Sequence, residues 1–175
     1  LTDLVKKSES FEICFVPDND YRGFLKRRVK NLEERVKGGD FIDSKGNVLG
    51  KHDGYPFYTI GQRKGLGIAL GEPMYVTNIN PKSNEVTLGV KEDLQSQSVL
   101  VRDVNFGKYS AVTDGFEALS KIRYKDKGSI SELHNEKGKI RIDFREKVYG
   151  VAPGQSAVFY EGDDLLGGGF ICRED

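Results

Sequence analysis

The chain has only two cysteines and two histidines, and where they fall excludes several chemistries. Cys14 and Cys172 stand near opposite ends of the sequence, a spacing that makes neither a disulfide framework nor a zinc knuckle. His52 and His134 are isolated, His134 in an expected turn, so no metal site is read from them. Net charge is also missing: 27 Lys and Arg balance 27 Asp and Glu, so any affinity for nucleic acid has to come from local clustering. No apolar run approaches the ~20 residues of a membrane span, and no signal-peptide pattern is visible. The expected compartment is therefore the cytoplasm, with thiols reduced, and no membrane partner is expected. There is no repeat of fixed period, no low-complexity tract and no convincing acid/base dyad.

What is present is the make-up of a globular protein, with 31% charged and 37% hydrophobic residues. The length allows two small domains, and helical signal is confined to the front. From Asp20 to Val36, Leu25, Val29, Leu32 and Val36 recur at helical spacing, with Asp20 as a cap and Gly38-Gly39 as a stop. One continuous helix is expected there. Its other face carries Arg22, Lys26, Arg27, Lys30 and Arg35, which read either as a solvated face balanced by Glu33 and Glu34 or as a phosphate-contacting stripe.

Hairpins follow. Phe41-Ile42 and Val48-Leu49 flank one turn, and the segments 74–79 and 85–90 flank another. The charged, Gln- and Ser-rich stretch 91–98 has no pattern of its own and reads as a domain boundary. After it, six strands are predicted at 99–106, 116–124, 129–133, 139–144, 156–160 and 165–171. Ile140, Ile142 and Phe144 alternate with Arg141, Asp143 and Arg145, the pattern of a half-buried strand. Six short strands joined by turns predict a small antiparallel barrel.

Three groups of residues could carry chemistry. Cys14, between Ile13 and Phe15, reads either as a buried strand residue or as a nucleophile, since Lys6 and Lys7 are opposed by Glu9 and Glu12. The run Tyr58-Thr-Ile-Gly-Gln-Arg-Lys-Gly-Leu-Gly-Ile68 is either a tight turn or an anion nest flanked by Arg63 and Lys64. It is not a Walker A loop, because no Gly-Lys-Ser/Thr follows. The third group pairs Lys121-Ile-Arg-Tyr-Lys125 with Val151-Ala-Pro-Gly-Gln-Ser156. In it Arg123 is expected on a strand face, Tyr124 is available to stack on a base, and Gln155 is presented by a Pro153-Gly154 turn. The alternative is an edge strand guarded by charge beside an ordinary turn.

These groups in this order, with Ser10-Phe-Glu-Ile-Cys-Phe-Val16 and Leu166-Gly-Gly-Gly-Phe170, resemble the bacterial tRNA-specific 2-thiouridylase family along essentially the whole chain. The resemblance implies a mainly β protein with one N-terminal helix. Residues 1–20 would be the tail of a catalytic domain, 21–95 a small α+β, PRC-barrel-like central domain that binds tRNA, and 96–175 a C-terminal antiparallel β-barrel. Leu1, which is not a methionine, fits a cut within a longer parent.

In the family, ATP with magnesium serves to adenylate the C2 oxygen of the wobble uridine, on a Ser-Gly-Gly-x-Asp-Ser loop that this sequence does not contain. Sulfur arrives as a persulfide on the cysteine that matches Cys14, supplied by a sulfur-relay protein or a cysteine desulfurase. A further cysteine upstream releases it by attack or disulfide formation. The resemblance carries tRNA contacts over to Arg123, Tyr124 and Gln155, and by extension to Gln62, Arg63 and Lys64. The 175 residues alone are expected to bind no ATP and to be inactive in thiolation. The alternative is a stand-alone RNA-binding barrel adapter without catalysis.

Overall fold

The structure, a computed structural model, describes residues 16, 18, 20–69, 71–123 and 126–173. Cys14 and Tyr124 therefore lie outside the described residues.

The predicted helix is two helices: α1 (Tyr21–Arg28) and α2 (Leu32–Val36). Asp20 caps α1 by accepting a hydrogen bond from the Gly23 amide at 2.8 Å. The break follows from the sequence between them. Val29 leaves the helix in an extended conformation, and Asn31 takes a left-handed one, φ 56°, which asparagine tolerates better than most residues. Leu32 and Val36 of α2 are buried, whereas α1 buries none of its residues fully.

Two sheets form two cores. The first is four-stranded, in the order β2-β1-β4-β3, from β1 (Gly39–Ile42), β2 (Val48–His52), β3 (Tyr75–Asn80) and β4 (Glu85–Gly89). β1 runs parallel to β4; the other pairings are antiparallel. Phe41, Val76, Val86 and Leu88 are fully buried on one face, covered by α2 and by Phe57, Tyr58 and Leu66. The close approach of α2 demands glycine at 54: its φ is 135°, and a Cβ there would fall 2.3 Å from Val36 Cγ2.

The second sheet closes on itself as the order β10-β5-β8-β7-β6-β9. Its strands are β5 (Gln95–Phe106), β6 (Phe116–Lys121), β7 (Ser129–Glu136), β8 (Lys139–Tyr149), β9 (Ser156–Glu161) and β10 (Asp164–Cys172). All six predicted strands are present, and all pairings are antiparallel. The alternation of β8 puts Ile140, Ile142 and Phe144 into the barrel with Leu133, Phe159 and Leu166. The chain is mainly strand, a small mixed α+β unit followed by a closed barrel.

The stretch 91–98, read as patternless, is structured. Lys91–Leu94 form a 3-10 turn whose Val90 amide bonds the Asp93 carboxylate at 2.9 Å, and Gln95 to Ser98 already belong to β5. The two units are thus joined without a linker. Gly150 N, just after β8, donates to Leu94 O of the junction at 3.0 Å, and the Arg173 guanidinium donates to Ile79 O, so the end of the barrel sequence is tied to the first unit.

Candidate nucleic-acid interface

Arg123 and Gln155 are brought to one place. Both line a groove of about 270 Å³ between the units, which Gly61 and Tyr75 border from the first unit and Lys91 and Tyr149 from the junction and the barrel. Arg123 is not on a strand, as the alternation suggested, because β6 ends at Lys121. It sits in the following turn, between the buried Ile122 and the carboxylate of Asp126. Asp126 closes that turn: its oxygens accept from Ile122 N at 3.4 Å and Gly128 N at 3.1 Å, and its own amide donates to Arg123 O at 3.1 Å. The guanidinium then lies beside Gly150, where a Cβ would be 3.5 Å away.

Gln155 is displayed by a tight turn. Gln155 N donates to Ala152 O at 3.2 Å across Pro153 and Gly154, the glycine at φ 90°, which is the chemistry of a type II turn. Its carbonyl accepts from Ile171 N at 2.8 Å, so the backbone is fixed at both ends while the side chain is exposed.

The Gly-rich run behaves differently. Gly61 N donates to Val76 O at 2.8 Å and Val76 N to Gln62 O at 2.9 Å, which zips the run onto the free edge of β3. Gln62 N is spent on Thr59 O, and the Gln62 side chain accepts from Thr59 N and donates to Lys64 O. Gln62 is thus a staple of its own loop, and with both amides committed the start of the run is not an anion nest. Arg63 and Lys64 are exposed, and Arg63 borders a separate hollow with Glu72 and Met74.

The basic face of the first helix is largely neutralised: Arg22 pairs with Asp53 at 3.3 Å, Lys26 with Glu33 at 2.5 Å and Arg27 with Asp18 at 3.2 Å. The larger hollow beside it, about 640 Å³, mixes Lys37 and Lys51 with Glu33, Glu34 and Asp53. By contrast, among the described residues no carboxylate lines the groove between the units. A nucleic-acid backbone favours the surface whose cations are not already paired.

His52, in the first core, is buried against Phe41 and Tyr58 and accepts from Gly54 N at 2.9 Å on Nδ1. Burial holds its pKa below the usual histidine value against the pull of Asp40 and Asp53. His134 is a strand residue of β7 rather than a turn residue, beside Asp114 at 3.4 Å. Among the described residues no cluster of three or more His, Cys, Asp or Glu side chains is placed to hold a metal ion, and no helix is long and apolar enough to cross a membrane.

Sequence reasoning missed Lys91, Tyr149 and Tyr75. Lys91 stood in the stretch read as patternless, and Tyr149 lies beyond the predicted end of its strand. The available signal was general: a junction between two domains is where small-ligand clefts concentrate.

Comparison with known proteins agrees with this architecture. Residues 22–90 match the family described as "tRNA methyl transferase PRC-barrel domain", and residues 96–171 the "Aminomethyltransferase beta-barrel domain". The chain is 54% identical over 170 residues to a protein of Amoebophilus asiaticus named "tRNA-specific 2-thiouridylase MnmA", covering 97% of this chain and 45% of the relative. Proteins of the same name from Cytophaga hutchinsonii and Salinibacter ruber are 54% and 48% identical, over 97% and 98% of this chain and 46% and 45% of theirs. The chain thus spans just under half the length of these relatives. With two adjoining domain matches and about half its residues identical along nearly its whole length, the chain belongs to the tRNA-specific 2-thiouridylase family.

Proposed function

We propose that these residues are the tRNA-gripping part of an enzyme that replaces the C2 oxygen of the wobble uridine with sulfur, and that the groove between the units is part of the grip. The observation that carries this reading is the composition of that groove. Arg123 and Gln155 meet there with a second cation, Lys91, and with no carboxylate among the described residues to neutralise them. Unpaired cations beside an exposed aromatic ring suit single-stranded RNA, whose phosphates need charge and whose bases need flat surfaces.

In this reading Cys14 carries the sulfur as a persulfide delivered by a relay protein or a desulfurase. A persulfide is a strong nucleophile at neutral pH, so the chief demand on the protein is accurate placement of the base. ATP does not fit the residues in hand. The Gly-rich run spends its first amides on Val76 and Thr59, and the sequence holds no Ser-Gly-Gly-x-Asp-Ser loop. Activation of the base is therefore assigned to the rest of the enzyme, and the 175 residues alone are inactive in thiolation.

The test is the 2-thiouridine content of bulk tRNA, by nucleoside mass spectrometry, in cells whose full-length gene carries Cys14→Ser or Arg123→Ala. Loss of the nucleoside with Cys14→Ser and a reduced level with Arg123→Ala, at normal protein abundance, are expected. Unchanged thiolation in both would leave an RNA-binding adapter without catalysis as the better reading.

A further inference from the structure

We propose that the groove between the two units is a seat for one unpaired nucleotide, whose base packs on Tyr149 and whose phosphate lies between Lys91 and Arg123. This rests on the reading of the chain as a tRNA-gripping element and deepens it. It names the kind of nucleotide held and adds two residues, Lys91 and Tyr149, to the grip.

Size comes first. At about 270 Å³ the groove lies just below the ~300–1,000 Å³ typical of small-ligand sites, a size that suits a single nucleotide better than a helix of RNA. Its ring is already fixed. Tyr149 is 39% exposed, large for an aromatic residue at the end of a barrel strand. Its hydroxyl accepts a hydrogen bond from Gln95 Nε2 at 2.5 Å, and Gln95 is its cross-strand partner in the β5–β8 pairing. The Lys91 ammonium stands 5.6 Å from the ring centroid. A ring held by its hydroxyl is pre-organised for stacking, because little rotamer freedom is left to lose when a base arrives on the face that Lys91 does not cover.

Charge comes second. Lys91 is exposed, and among the described residues neither Lys91 nor Arg123 has a carboxylate partner. The two cations line the groove from different elements, Lys91 from the turn at the junction and Arg123 from the barrel turn that Asp126 closes. A phosphate diester between them, with one negative charge, is held by both cations. Gln155, whose backbone is fixed at both ends, leaves its carboxamide at the rim, where it can bond a base edge or a 2′-hydroxyl.

The test measures binding of the purified chain, by fluorescence anisotropy, to a labelled stem–loop RNA with an unpaired anticodon-type loop and to a blunt duplex of the same stem. The wild-type chain is expected to favour the stem–loop. Tyr149→Ala should weaken the stem–loop by roughly 5- to 150-fold, the range for losing one stacked base, with the salt slope and the duplex affinity unchanged. Tyr149→Phe, which keeps the ring, should retain most of the affinity. Lys91→Gln should instead lower the salt slope on the stem–loop by about 0.7, the value for one phosphate on a single strand.

Retained duplex affinity shows that the variants are folded. Equal losses on both RNAs, or stem–loop binding untouched by both Tyr149→Ala and Lys91→Gln, would overturn the seat while leaving an RNA interface elsewhere on the chain. Failure of the wild-type chain to bind either RNA at low salt would remove the gripping role itself, and the seat with it.

Discussion

Asp126→Ala is the change whose outcome separates geometry from charge. Asp126 is an anion within three residues of Arg123, so on Coulombic grounds its removal should strengthen binding to a polyanion. The structure predicts the opposite, because this carboxylate closes the turn on which Arg123 stands. Two amide hydrogen bonds to a charged acceptor would be lost, one of them long at 3.4 Å, which together come to about 2 kcal/mol. For a barrel of this size that lowers the melting temperature by roughly 10 °C. Under the proposed grip, loosening the turn takes Arg123 off the phosphate assigned to it, an expected loss of about fivefold in affinity for tRNA and of roughly 0.7 in the salt slope. Asp126→Asn keeps an acceptor and removes the charge, so it should melt closer to wild type and bind at least as tightly. The assays are thermal melting by circular dichroism and anisotropy titration with labelled tRNA at two salt concentrations. If Asp126→Ala bound tRNA as tightly as wild type or more tightly, the role given to this turn would be refuted.

Other consequences can be checked more simply. Burial of His52 disfavours its charged form, so the unfolded chain takes up a proton near pH 6.5 while the folded chain takes it up only at lower pH; stability is fully present above about 6.5 and declines as pH falls below it. The urea midpoint of the first unit should therefore be lower at pH 5.5 than at 7.5, and His52→Phe should flatten that difference. Gly54→Ala forces a Cβ into Val36 at a φ of 135° and should destabilise the first unit by about 3 kcal/mol, read as a loss of amide-exchange protection in β1 and β4. Leu88→Ala, at a fully buried site, should cost that unit about 2–5 kcal/mol in the same exchange measurement.

The barrel was legible because its signals are local. β8 alternates with a period of two through Ile140, Ile142 and Phe144, and turns such as Lys137-Gly138 separate the strands. The helix break was less so: Leu25, Val29, Leu32 and Val36 keep helical spacing across a break made by an extended Val29 and a left-handed Asn31. Periodicity reports which face is buried, and both helices share that face, so it cannot report the break. Arg123 and Gln155 could be named from motif likeness, but their meeting depends on how β6, β8 and β9 close the barrel, a long-range fact. Lys91 and Tyr149 are 58 positions apart and are joined only through the β5–β8 register, in which Gln95 faces Tyr149. Gln62 shows the converse, since a polar side chain in a Gly-rich motif can serve the loop alone.

If tRNA is gripped as proposed, the direct run from the 3-10 turn at Lys91–Leu94 into β5 bears on how tRNAs would be told apart. A flexible tether would let each unit find its own foothold and would tolerate many RNA outlines. Here the residue after β8 is bonded to the junction, Gly150 N to Leu94 O, and Arg173 fastens the end of the barrel sequence to Ile79. The spacing between footholds is set when the protein folds, and the adjusting is left to the RNA. Under the proposed grip, discrimination would act on how readily a given tRNA bends to a fixed calliper, and a tRNA would be rejected without any of its bases being read.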